Sequence, residues 1–322
     1  MSTTTAPAVH DNRTAFAEQL IELARADERV VAVCNDSVGS SNLVAFRDEF
    51  PDRLINVGIA EQNMVGVGAG LANSGLVPFV CAAAPFLTGR ALEQIKADVA
   101  YSAHPVVLCG MSPGLAYGEL GPTHHSPEDF SWLRPLPGLD IVVPTDREQT
   151  RQVVRELVEH PRPTYVRVGR FKVPDLPEGV GEPLQRGRFQ TLREGDDVAI
   201  IAVGSMVSRA VDAADLLAAE GISARVLNAA WLSPFDSEAV QLAAADCGAI
   251  VTAEEANVSG GLGAAVASVV AQQPARARMR ILGTDGFAPT GSTQWLLDFF
   301  GLTVEGIAGA ARDLARDESR GA

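Results

Sequence analysis

The sequence predicts an α/β fold made of two parallel-sheet domains joined by a linker. Three observations carry this expectation. Short apolar runs rich in β-branched residues alternate with longer segments of helical period, and the alternation occurs twice. A stretch rich in proline and glycine, FKVPDLPEGVGEPLQRGR at 171–188, separates the two alternations and has no period of its own. The chain has 322 residues, of which 47% are hydrophobic and 20% charged, enough core-forming material for two domains of ordinary size.

Taken in order, RTAFAEQLIELARA (13–26) has apolar residues at helical spacing and reads as an amphipathic helix. VVAVCN (30–35), bounded by the polar DSVGSSN, has the profile of a strand buried on both faces, as in a parallel sheet. LINVG is the next strand, the Gly/Ala run from Glu61 a helix, LVPFVCAA a strand, RALEQIKADVAYSA a helix and PVVLCG a strand. A polar Gly/Pro/His loop at 112–126 leads into SPEDFSWLR, where Ser126, Glu128 and Asp129 suit a helix start. DIVVPT, DREQTRQVVRELVEH and TYVRVGR then close a first domain placed at 10–170. After the linker at 171–188, a second domain at 189–322 repeats the plan: DVAIIAVG, RAVDAADLLAAEG, ISARVLN, a helix from Asp236, GAIVTAEE, GGLGAAVASVVAQQ and MRILGT. No tandem repeat is present.

The formal net charge of −14 leaves no basic surplus to neutralise phosphates, which argues against nucleic acid or an anionic membrane as partner. No apolar run reaches the ~20 residues of a membrane-spanning helix. The opening MSTTTAPAVHDNR lacks the basic and apolar regions of a secretory signal and reads as a disordered lead-in. Cys34, Cys81, Cys109 and Cys247 show no CxxC spacing and lie in or beside apolar runs, as buried free thiols would. A cytoplasmic setting is expected.

In open parallel sheets, ligands bind beyond the carboxyl ends of the strands. The polar residues there are those of the loop from Asp36 to Asn42, Glu61, the 112–125 loop, Arg167 and Arg170, with Phe86 beside them and Glu254 and Glu255 at the equivalent place in the second domain. Glu61 and Asn63 stand out against INVGIAEQNMVGVGAGLA, because an acid in an apolar interior must be paired, protonated or in use. A helix-start glutamate favoured by the macrodipole is the simpler account. The chain contains no GxxxxGK[ST], HExxH or GxSxG, and the glycines of GVGAG come too late after the strand for a dinucleotide fingerprint. They suit close helix approach instead. His124 and His125 in GELGPTHH lack a nearby third ligand for zinc, and His124 is either a loop residue bonded to backbone or a proton-transfer group. Arg170 ends an apolar strand, as a surface residue or as an anion clamp.

GIAEQNM (58–64), PFLTGRALEQI (85–95), GPTHHSPED (121–129) and VGR (168–170) resemble the transketolase family, in particular the C-terminal subunit of split transketolases. VAIIAVGS, ARVLNAAWLSPFD and IVTAEEANVSGGLGAAVA resemble the family's C-terminal domain, so the likeness runs from about residue 12 to about residue 310. It implies a thiamine diphosphate pyrimidine-binding domain followed by a transketolase C-terminal domain, and ketol transfer between sugars.

On that resemblance, the Glu61 carboxyl group hydrogen-bonds the cofactor's aminopyrimidine and favours the imino tautomer that deprotonates the thiazolium carbon. Its Gly/Ala/Val neighbourhood is expected to disfavour the free ionised form. Phe86 is implied to stack on the pyrimidine, or to be a core residue after its strand. Asp36 and Ser41 fall in a loop that approaches cofactor and substrate. His124 is implied to contact substrate and assist proton transfer, and Arg170 to grip the substrate phosphate. The family holds the diphosphate and Mg²⁺ through a GDG motif with a downstream Asn, which this sequence lacks. The resemblance therefore implies a companion N-terminal subunit and an α₂β₂ assembly.

The chain departs from the family's GEDGPTHQ, with Leu120 in place of the Asp and His125 in place of the Gln. Leucine accepts no hydrogen bond, so a sugar hydroxyl buried there would go unpaired at a cost of ~1–3 kcal/mol. LCGMSPGLAYG also lacks a histidine found in ordinary transketolases. A donor or acceptor other than the standard pentose phosphates is expected. Alternatives on the same two-domain plan are a deoxyxylulose-phosphate synthase-like subunit, a 2-oxo acid dehydrogenase beta-type subunit, and a non-catalytic assembly subunit.

Overall fold

The runs read as doubly buried strands stack into a seven-stranded sheet in the order Trp231–Ser233, Asp140–Val142, Thr164–Val168, Val107–Met111, Val77–Ala83, Val30–Cys34, Leu54–Asn56. This is a computed structural model, and it describes residues 8–177, 180–274 and 277–317. Most of the lead-in expected to be disordered, residues 1–7, lies outside that range. Six of the seven strands run parallel. Val30–Cys34, Val107–Met111 and Thr164–Val168 are buried at every position, because helices cover both faces.

On one face, Phe16 and Leu20 of helix Asn12–Ala26 and Val153, Val154 and Leu157 of helix Arg147–Glu159 pack onto Val30, Ala32 and Phe79. On the other, Met64 and Val65 of helix Glu61–Asn73 pack onto Val33 and Val80. Gly68 is required there, since a Cβ would lie 2.6 Å from the Val80 side chain, whereas Gly70 faces open space. Cys34, Cys81 and Cys109 pair in register on three adjacent strands and, like Cys247, are buried free thiols. Burial pushes the Cys34 thiol up to about 11, so these groups are inert packing.

The seventh strand, Trp231–Ser233, was not expected. It comes from the second half of the chain and pairs antiparallel with Asp140–Val142 in the first sheet. Trp231 is fully buried there, with the Arg162 guanidinium 5.5 Å above its ring.

The second sheet has the order Arg278–Thr284, Ala249–Asn257, Val198–Ala202, Ala224–Asn228, Gln190–Arg193, the last strand antiparallel. Two C-terminal helices lay beyond the sequence reading, Thr293–Phe299 and Val304–Asp317; Ile307 and Ala311 of the latter join the core formed with helix Met206–Ala219. The Pro/Gly stretch is not free chain. Val173–Pro174 pairs with Val9–His10, and Leu184 is buried. Among the described residues no helix is long and apolar enough to cross a membrane.

Candidate active site

The site lies at the carboxyl ends of the first sheet. Asn35 follows strand Val30–Cys34 directly, and helix Glu61–Asn73 begins with its acid. Strand Val77–Ala83 turns directly into helix Ala84–Arg90, with Pro85 in the first turn, where a missing N–H costs nothing. This helix, which ends at Arg90, was not expected; the helix expected from Arg90 begins at Leu92 and continues as a π-helix over Ile95–Tyr101. Helix Ala84–Arg90 places Phe86 and Arg90 one turn apart on a shared face.

Glu61 is 3% exposed. Its Oε1 accepts hydrogen bonds from Asn35 Nδ2 at 2.7 Å and Arg90 Nη1 at 2.9 Å. Burial pushes the carboxyl upward, but its own backbone amide, Asn35 and the Arg90 guanidinium outweigh burial, and the group titrates below the ordinary glutamate value. This corrects the expectation that an apolar setting disfavours the ionised form. The glycines and alanines pack below the acid, while its carboxylate meets a cation and an amide. Asn63, grouped with Glu61 as a polar residue in the interior, is exposed.

The Arg90 guanidinium also lies over the Phe86 ring, 4.2 Å from its centroid. Phe86 meets His124 edge to face at 5.2 Å, His124 meets Tyr117 at 6.0 Å, and Arg170 lies 5.2 Å over the Tyr117 ring. Glu61, Phe86, His124 and Arg170 are thus joined in one row through Arg90 and Tyr117. Arg90, half exposed, closes one side of an open hollow of about 600 Å³ lined by residues 59–63. Arg170 borders a second hollow of about 370 Å³ with Tyr117, Glu119, Leu120 and Thr293. Leu120 is 54% exposed on its rim, where it offers a bound molecule an apolar contact and no acceptor.

Two of the sequence-predicted residues stand apart. Asp36 adopts a positive φ of 72°, is exposed, and accepts from Asn56 Nδ2 at 3.2 Å. Its neighbour Asn35 takes the place against Glu61. Ser41 is fully buried inside its loop, its Oγ 3.4 Å from Ser37 Oγ. Sequence reasoning also missed Arg90 and Tyr117. Arg90 lies within a quoted motif, and its spacing of four from Phe86 was the available signal once the helix start is placed at Ala84. His125 is buried, with Nε2 3.2 Å from the Gly118 carbonyl; burial lowers its basicity.

These groups fit a flat N–H donor. The guanidinium of Arg90 donates to Glu61 while stacked on Phe86, and no side chain among the described residues bonds the second Glu61 oxygen. An aminopyrimidine presents the same combination of planar face and ring-edge polarity. Among the described residues no cluster of three or more His, Cys, Asp or Glu could hold a metal ion.

Comparison with known proteins agrees with this arrangement. Residues 9–175 match the family model "Transketolase, pyrimidine binding domain" and residues 187–307 match "Transketolase, C-terminal domain". The chain is 44% identical over 305 residues to an apulose-4-phosphate transketolase subunit of Phocaeicola vulgatus, covering 94% of this chain and 97% of that protein. It is 38% identical to the 6-deoxy-6-sulfo-D-fructose transketolase subunit SqwH of a Clostridium species, covering 95% of this chain and 94% of that one. It is also 38% identical to 1-deoxy-D-xylulose-5-phosphate synthase of Heliobacterium modesticaldum, spanning 95% of this chain but 47% of that enzyme. Among solved structures, a split gene transketolase described as an inactive beta4 tetramer superposes with a TM-score of 0.84 at 37% identity, covering 95% of this chain and 98% of that one. Two family models matched in chain order, together with relatives of this likeness along nearly the full length, establish that the chain belongs to the transketolase family.

Proposed function

We propose that this chain is the C-terminal subunit of a two-chain, thiamine diphosphate-dependent transketolase that moves a two-carbon ketol unit between anionic sugars. The observation that carries the reading is the continuous row from Glu61 through Arg90, Phe86, His124 and Tyr117 to Arg170. When bound, the cofactor supplies the carbanion chemistry. The Glu61 carboxyl group, its position fixed by Asn35, would hydrogen-bond the ring edge of the aminopyrimidine. Phe86 offers the ring a face once the half-exposed Arg90 moves aside. His124, partly exposed beside Phe86, is placed to hand protons to and from substrate oxygens. Arg170 and Tyr117 form a cationic, aromatic end suited to a phosphate or sulfonate.

The diphosphate and Mg²⁺ are assigned to a companion N-terminal subunit with a GDG motif, in an α₂β₂ assembly. The split-gene structure that superposes on this chain, an inactive beta4 tetramer, supports the need for that companion. The named substrates of the relatives, a 4-phosphorylated apulose and a 6-sulfonated deoxyfructose, together with Leu120, support a specialised anionic ketose as donor. The buried free thiols fit a reducing, cytoplasmic setting.

Titration calorimetry with thiamine diphosphate and Mg²⁺ tests the divided site. Tight binding is expected only in the mixture with the companion, and tight binding by this chain alone would remove the proposal. The 38% identity to deoxyxylulose-phosphate synthase favours one second reading, a decarboxylating transfer from a 2-oxo acid. Turnover with pyruvate in preference to ketose phosphates selects it, and turnover with neither selects an assembly role.

A further inference from the structure

We infer that the C-terminal domain positions the loop that carries Tyr117 and His124, with Glu255 as the positioning residue. This rests on the reading of that loop as substrate-facing. Glu255 lies near the end of strand Ala249–Asn257 and is 6% exposed. Its Oε1 accepts from the Leu115 backbone N–H at 2.6 Å, and its Oε2 from Ser205 Oγ at 2.7 Å. Leu115 is a first-domain residue, yet its side chain is fully buried in the hydrophobic cluster of the second domain with Met206, Ala253 and Leu296.

The same domain holds the loop at two further points. Thr293 Oγ1 donates to the Leu115 carbonyl at 3.2 Å, and the Gly291 N–H donates to the Gly118 carbonyl at 3.1 Å. At the far end, Arg167 Nη2 reaches the Ser126 carbonyl at 3.3 Å and the Glu255 carbonyl at 2.9 Å. Gly114, at φ +61°, has no room for a side chain, since a Cβ would lie 2.6 Å from Glu255 Oε1. A buried carboxylate is a costly tie for two elements that need only stay close, because losing it leaves an amide and a hydroxyl unpaired in the interior. It makes sense where one backbone conformation must be selected. The loop's tip, exposed at Glu119, Leu120, Pro122 and Thr123, then projects from a base fixed by the other domain.

Backbone amide hydrogen exchange on the full chain tests the inference. In Glu255→Ala, exchange across 112–120 is expected to rise about tenfold or more, while strand Val107–Met111 stays at its native rate. Glu255→Gln keeps an acceptor for the Leu115 amide, and is expected to stay within about threefold of native. Mixed with the companion chain, Glu255→Ala is expected to bind thiamine diphosphate as tightly as the native pair. Unchanged loop exchange, equal acceleration in the strand, or lost cofactor binding in the variant would each overturn the role. Should Glu255→Ala fail to fold, Thr293→Val carries the test: loop exchange about threefold faster supports the tie and unchanged exchange overturns it. If the native pair itself binds no cofactor, the transketolase reading fails and the loop exchange still decides the clamp.

Discussion

Glu61 and Glu254 are both buried acids at a helix N-terminus, Glu61 as the first residue of helix Glu61–Asn73 and Glu254 reaching helix Leu262–Val270 from within strand Ala249–Asn257, and their surroundings drive them in opposite directions. Glu61 is held by two side chains, one of them the half-exposed Arg90, and it titrates low. Glu254 is fully buried and bonds the first amides of helix Leu262–Val270, Leu262 at 2.6 Å and Gly263 at 2.8 Å. Burial pushes it up to about 7, against the pull of those amides and of Arg167 and Arg134. The difference is one of commitment. Backbone donors cannot leave, so Glu254 is bound to its helix permanently; a long surface arginine can leave, so Glu61 can exchange partners. Buried acids at helix N-termini thus divide into one held by fixed backbone donors and one free to change partners, according to what can move away.

The largest effect expected of this contrast is on turnover. Glu61→Gln in the reconstituted pair is expected to assemble normally by size-exclusion chromatography and to lose about a hundredfold or more in rate. Native turnover would place Glu61 with Glu254 as a cap. Glu254→Gln leaves one helix amide facing a donor, and is expected to cost about 1–3 kcal/mol in denaturant unfolding with the cofactor site intact. Its folded-state value of about 7 lies above the ordinary 4.5, so the folded chain holds the extra proton between these values. The stability Glu254 contributes is therefore full below about pH 4.5 and is lost as pH rises towards 7. Unfolding midpoints measured from pH 5 to 8 should lose that slope in Glu254→Gln, and a slope unchanged from native would assign it elsewhere.

Leu120→Asp adds a third acid on the open side of the comparison. Because Leu120 is exposed, folding stability should move by no more than about 0.5 kcal/mol. Donor preference should move about tenfold towards ketoses with a hydroxyl at that rim, and an unmoved preference would take Leu120 out of specificity. Arg90→Met has the smallest expected effect. It keeps an apolar stem over Phe86 and removes the charge, so the Glu61 carboxyl should titrate closer to an ordinary glutamate by ¹³C NMR. A midpoint that stays where it is would assign the low value to Asn35 and the helix start instead.

The alternation of strands and helices was legible because a strand buried on both faces must be written as an unbroken apolar run, as in VVAVC and VVLCG. Glu61, Phe86, His124 and Arg170 were legible through their motifs, and the structure brings them into one row. The loop after the first strand was not. Asn35 and Asp36 are adjacent polar residues, and which one turns inward depends on the positive φ at Asp36, which a linear reading does not display. Arg90 hid for a similar reason, since its relation to Phe86 appears only once the helix is known to begin at Ala84. Asn63 was misjudged because it interrupts an apolar run while lying on that helix's outer side.

Trp231–Ser233 pairs along the Asp140–Val142 strand, and this sets how the chain can be divided. A fragment ending in the Pro/Gly stretch would keep the whole row from Glu61 to Arg170 and still lose that strand. The exposed side of Asp140–Val142 would become a row of unsatisfied amides and carbonyls, beside the vacancy left by a fully buried tryptophan. Such a fragment would recruit strands from other molecules. The border drawn by composition is therefore a poor place to cut, and the smallest piece of this protein that folds cleanly extends past Ser233.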